Sequence, residues 1–271
     1  MKRLLAGWVM LGWWGMVGCA AALDAPLKLP FQVESGLPTV KAIVGGKPVN
    51  LILDLGGFQG LALKPSVAAS TPLSFTGQEV HWRNAEGQDF TSRNFNAHVS
   101  VGSLDLSEVA GGELGGNEGF PQDGYLGLGV LRHYLAVFDY PQGELRLYAS
   151  GLAAAMQAEC GSAGKPLDVV NGVSQSEVET DHGKLLFQWD TGSSANVLRP
   201  SAVGMSPQQA EKQHSLAFEK FVVGGVDTGH QRIGLRQFVA PDVDGVLGTP
   251  FFQTRVICVD VTRQMGAMRQ L

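Results

Sequence analysis

Two copies of one pattern run through the chain in the same order, and a duplicated unit constrains a fold more tightly than any single motif. NLILDLGG (50–57) matches LFQWDTGS (186–193), each an apolar-rich strand that ends on aspartate, one further residue and glycine. LKPS (63–66) matches LRPS (198–201), and VSVGS (99–103) matches FVVGG (221–225). DGYLGLGVL (123–131) matches DGVLGTPFF (244–252), and VFDY (137–140) matches CVDV (258–261). The offset is 136 at the Asp pair 54/190, 135 at LKPS/LRPS, 122 at VSVGS/FVVGG and 121 at the last two matches, so one main length change separates the copies. It lies in the first copy, which takes a longer excursion over about residues 67–98. There EVHWRNAEGQDF reads as two strand pieces around an Asn-Ala-Glu-Gly turn, a protruding hairpin.

The 36 glycines and the scarcity of helix-period stretches predict many short strands and tight turns, and with the duplicated pattern an all-β chain of two pseudo-symmetric lobes is expected. With 44% apolar and 17% charged residues the composition is globular. A net charge of −5 without a dense basic stripe argues against a nucleic-acid or anionic-lipid surface. The expected boundaries are an export signal at 1–22, a first lobe at 23–149, a linker at 150–166 and a second lobe at 167–271. The linker opens as a short helix, and SPQQ (206–209) predicts a helix start with Ser206 as cap and Gln209 closing a capping box.

MKRLLAGWVMLGWWGMVGCAAALDAP has the positive end, apolar middle and small residues of an export signal. Two cleavage readings stay open. AAA (20–22) suits an ordinary signal peptidase, cutting near 22/23. MVGC (16–19) resembles a bacterial lipobox, which would cut at 18/19 and lipidate Cys19, leaving the protein either periplasmic or lipid-anchored. In an oxidising compartment Cys160 and Cys258 form an even pair that could bridge, and Cys258, inside RVICVDV, could equally be a buried small hydrophobe.

The duplicated strand-Asp-x-Gly, followed in each copy by apolar-apolar-Gly (YLG 125–127, VLG 246–248), resembles the aspartic peptidases of the pepsin and retropepsin type, from about residue 29 to the C-terminus. The resemblance implies two closed or partly closed β-barrel lobes. Their Asp loops would meet at a pseudo-two-fold axis beneath a hairpin flap. It implies Asp54 and Asp190 as a catalytic dyad that activates water on an extended peptide or protein substrate, with Leu55, Gly56, Gly57, Thr191, Gly192 and Ser193 forming the active-site loops. Hydrolysis without metal or covalent nucleophile needs one group to take a proton from water and another to protonate the amide. Two close carboxyls that share a proton meet that need. No cofactor, metal or nucleic-acid partner is implied, and membrane contact only through lipid on Cys19.

The pattern departs from the family at Leu55. In the family the two loop threonines interlock across the lobes, and leucine has no hydroxyl for its half. The alternative is therefore a peptide-binding protein of little or no turnover on the same fold. His81 and Trp82 lie in the hairpin as substrate contacts or as structural residues. Asp227-Thr228-Gly229 lacks an apolar strand and reads as a turn. Asp139 and Asp260 read as solvent-facing or turn-adjacent acids, and 110–124 as a flexible surface loop. The six histidines show no metal spacing, and neither His-Glu-x-x-His nor Gly-x-Ser-x-Gly occurs.

Overall fold

The computed structural model describes residues 25–83, 88–115, 121–170, 173–238 and 243–270. The export segment with Cys19, the hairpin turn 84–87 and the Trp82 side chain lie outside the described residues.

Each copy of the repeat builds its own sheet, of eight strands in the first lobe and nine in the second, and a six-stranded sheet joins them. The joining sheet exists because each copy ends in a hairpin with a free edge. Tyr134–Asp139 folds back on Glu144–Ala149, and Arg255–Asp260 on Met265–Gln270. The two edges then pair antiparallel, which removes both exposed edges at once. In that register Val137 lies opposite Cys258. These two positions are equivalent in the repeat, and equivalent positions can face each other only where a two-fold axis passes between them. The fold is all-β, with two pseudo-symmetric lobes related by this axis.

Inside each lobe the Asp-bearing strand lies parallel to the apolar-apolar-Gly strand. Lys47–Asp54 runs beside Gly124–Gly127 with Asp54 opposite Gly127, and Gly183–Trp189 runs beside Gly245–Leu247. Parallel strands are covered on both faces, which explains why these sequences read as apolar runs; Leu51, Ile52 and Leu53 are fully buried. One apolar core passes through both lobes and includes Leu55, Trp189, Phe251 and Phe252.

The hairpin of the first lobe pairs Ser74–Arg83 with Asp89–Val101, closing on Arg83 opposite Asp89. Helix Pro207–Gln213 carries the complete Ser206–Gln209 capping box. Helix Ala153–Cys160 sits over the joining sheet, and a Cys160–Cys258 disulfide ties it there.

Two sequence readings need correction. Asp139 and Asp260 are turn-adjacent but not solvent-facing: both are buried. Asp139 accepts from the Gln142 amide and pairs with Arg146, while Asp260 accepts from the Arg263 and Gly151 amides. Each thus closes its own hairpin turn from the inside. The stretch 110–124 is not a loop at its start, because strand Leu104–Glu113 runs through it with Gly111, Gly112 and Glu113 buried. Glycine suits that strand because a Cβ at Gly111 would lie 2.6 Å from the Leu61 carbonyl oxygen.

Candidate active site

The two Asp loops meet at the axis. Gly56 of the first loop lies under the carboxyl of Asp190, and a Cβ there would be 2.4 Å from Asp190 Cγ. Gly192 of the second lies under the carboxyl of Asp54, where a Cβ would be 2.5 Å from Asp54 Cγ. Only glycine permits this reciprocal approach, so the two glycines set the spacing of the acids. The carboxyls are hydrogen-bonded to one another.

Backbone amides converge on both acids. Gly56 N–H donates to Asp54 Oδ1 at 2.7 Å, and the Gly57 and Gly192 amides also donate to Asp54. Gly192 and Ser193 amides donate to Asp190. Burial pushes both carboxyls above the ordinary range, and the negative charge of Asp54 pushes Asp190 further. Two acids in contact, one buried and the other half-buried, cannot both ionise at low cost, which favours one proton shared by the pair.

The loops are held symmetrically by backbone and asymmetrically by side chains. Leu128 N–H donates to Gly57 O at 2.8 Å, and its repeat equivalent Thr249 N–H donates to Ser193 O at 2.9 Å. Gly127 and Gly248 allow this, since a Cβ on either would come within 2.5 Å of those same carbonyl oxygens. Thr191, fully buried, crosses the lobe boundary: its hydroxyl donates to Leu53 O at 2.7 Å and accepts from Leu55 N–H at 2.9 Å. The Leu55 side chain returns no such bond and packs in the core with no exposed surface. Beneath the second loop, the Thr249 hydroxyl donates to Thr191 O at 2.9 Å.

Ser193 is turned away from the acids, its hydroxyl bonded to Ala195 O at 2.8 Å. His81 stands exposed on the hairpin with Nδ1 2.9 Å from Thr91 Oγ1, a cross-strand contact. Asp227 is a surface turn residue that accepts from Gly229 N–H. A pocket of about 840 Å³ opens beside Phe58, Gln59 and Gly60, just after the first loop, and is walled by Thr76, Gln78 and Val80 of the hairpin. Neither acid lines it. Among the described residues no cluster of His, Cys, Asp and Glu could hold a metal ion.

Two neighbours of the acids escape a sequence reading. Tyr125 packs against Gly57, and Thr249 supports Thr191. The signal for both was in the repeat, where Tyr125 stands opposite Val246 and Thr249 opposite Leu128. A mismatch between copies marks where the two halves of a site divide the work.

The architecture and the meeting of the two loops define a pepsin-like, bilobal scaffold. The chain is similar in structure to the aspartic proteinase from Irpex lacteus, with a TM-score of 0.61 over 91% of this chain and 97% of that one. The two share 14% sequence identity, so the likeness is one of fold. No family model and no curated protein matches the chain.

Proposed function

We propose that the protein is an aspartic endopeptidase in which Asp54 and Asp190 hydrolyse peptide bonds, two retropepsin-like lobes working within one chain. One observation carries this reading: two hydrogen-bonded carboxyls, Asp54 buried and Asp190 half-buried, each seated on the other loop's glycine. A water bound between the acids gives a proton to the charged carboxylate as its oxygen attacks the scissile carbonyl. The protonated carboxyl gives its proton to the carbonyl oxygen, forming a neutral tetrahedral diol. As the diol collapses and the C–N bond breaks, the protonated Asp54 gives its proton to the leaving nitrogen while a diol hydroxyl gives its proton to Asp190, and the pair is again singly protonated. Asp54, which receives more backbone donors, is the member that takes the charge. Asp190 holds the proton.

The substrate is an extended peptide or protein segment lying between lobes and hairpin, partly by backbone pairing to the hairpin strand. Export, with release or lipidation at Cys19, would place the reaction in the periplasm or at a membrane surface.

The test is cleavage of a peptide library by the mature protein from acid to neutral pH, with and without a statine-type transition-state analogue. Cleavage inhibited by the analogue is expected. Tight peptide binding with no cleavage at any pH would replace the enzyme by the binding-protein alternative.

A further inference from the structure

The first Asp loop has a support that the second does not. Gly57 carries no side chain, and the space where one would project is already taken. A Cβ at Gly57 would lie 2.4 Å from Tyr125 Cε2 and 2.8 Å from Cζ, and 2.9 Å from Asp54 Oδ2. The Tyr125 ring and the Asp54 carboxyl therefore both border the space into which a side chain at Gly57 would project. The same ring also covers Gly127, where a Cβ would be 2.9 Å from Tyr125 Cε2.

The ring is firmly seated. Tyr125 belongs to a small buried cluster with Leu37, Ile52, Ala62 and Leu114, separate from the main core. Its strand pairs on both sides, with Ile52 and with Ala62 as its neighbours. The phenol oxygen is 3.5 Å from Gln59 Oε1, and it also bonds the Gln59 backbone. Both ends of the 57–59 segment thus rest on one side chain.

The repeat supplies an internal comparison. In the second lobe the positions of Gly57 and Tyr125 are Ser193 and Val246. There the loop has a side chain and the strand residue is small and half-buried; in the first lobe the loop has none and the strand residue is large and buried. Volume has moved from loop to strand. The change occurs in the lobe whose Leu55 makes no hydroxyl lock.

We infer that Tyr125 is a positioning residue for Asp54, its ring acting as a steric stop that supports the first Asp loop, whose own side chain at position 55 returns no hydroxyl bond to the second lobe. This rests on the peptidase reading only for its effect on rate. Gly57 and Tyr125 form a matched pair, so neither can be changed alone to its second-lobe equivalent without displacing Asp54. A displacement of about 1 Å at a catalytic group can cost roughly a hundredfold in rate.

The experiment compares the wild type with Gly57→Ser, Tyr125→Val, the double variant and Tyr125→Phe. Peptide kinetics, thermal midpoints and the carboxyl ¹³C resonances of Asp54 and Asp190 are measured for each. Each single change should lower kcat at least about tenfold, within the penalty for misplacement, with KM changed much less. The double variant should recover kcat to within about threefold of wild type, a non-additivity expected of groups in contact. Tyr125→Phe should stay near wild type because the ring carries the role. The Asp54 carboxyl resonance should move in both single variants and return in the double. Additive effects, or a Gly57→Ser variant that leaves rate and Asp54 resonance unchanged, would overturn the inference. A wild type that cleaves no peptide would sink the peptidase reading alone, because the Asp54 resonance still decides whether Tyr125 positions that side chain.

Discussion

Replacing Thr191 by valine removes one oxygen atom and keeps the shape of the side chain. That oxygen is the hydroxyl bridge between the lobes at the acids, bonded to Leu53 O at 2.7 Å and Leu55 N–H at 2.9 Å. Its loss strands the Leu55 amide in a region where Leu55 and position 191 have no exposed surface. A buried donor left without a partner costs about 1–3 kcal/mol, and the weakened Leu53 carbonyl adds about 1 kcal/mol. Valine avoids burying a hydroxyl and returns part of this, so the expected loss in stability is about 2–3 kcal/mol. The rate should suffer more than the stability, because no second side-chain hydroxyl crosses in the other direction. A drop of roughly a hundredfold in kcat is expected if the loops separate by about 1 Å. Denaturant unfolding and peptide cleavage by the same preparations measure both effects. Thr191→Ser, which keeps the hydroxyl, should recover most of each. A valine variant within about 0.5 kcal/mol and twofold in kcat of wild type would refute the claim that this hydroxyl holds the dyad together.

Asp190→Asn should raise the melting temperature at neutral pH. The Asp190 pKa is raised in the folded state, so its contribution to stability is fully present below the unfolded value of about 3.9 and is lost as pH rises through the folded value. Asparagine abolishes that loss, and its advantage over wild type should therefore vanish toward pH 3; an advantage independent of pH would contradict burial of a coupled acid. Leu55→Thr exchanges buried apolar area for a core hydroxyl and should lower stability by about 2 kcal/mol, measured by denaturant unfolding. With the loop already held by Tyr125, kcat should stay within about threefold of wild type, and a tenfold rise would show instead that the missing lock limits turnover. Reduction of Cys160–Cys258, which spans 98 residues, should cost about 2–5 kcal/mol in unfolding experiments with and without reductant.

The repeat made the architecture readable, because two copies of a strand ending on aspartate fix the number of lobes and the residues that converge on the axis. It also exposed Leu55 as the odd member of the pair. What it could not give was direction. Whether Leu55 points between the loops or into the core depends on packing from both lobes, and it takes the core. Asp139 and Asp260 read as solvent-facing or turn-adjacent acids, and only the second holds, because sequence does not show that their strands pair across the axis and bury the turns they close. The 110–113 stretch read as a loop because its glycines suggested flexibility, whereas Gly111 is there for close approach of its backbone to the Leu61 carbonyl and the Phe95 ring. Tyr125 was hidden inside a motif that asks only for an apolar residue, and its size matters only once Gly57 is seen against its ring.

The account turns on Asp54 and Asp190 acting as one unit. The most direct measurement is peptide cleavage by Asp54→Asn and by Asp190→Asn beside the wild type, with each variant shown to be folded by its melting curve. Loss of all detectable cleavage in both single variants is the expected result, since each acid supplies half of a single proton cycle. Substantial cleavage by either variant would contradict it.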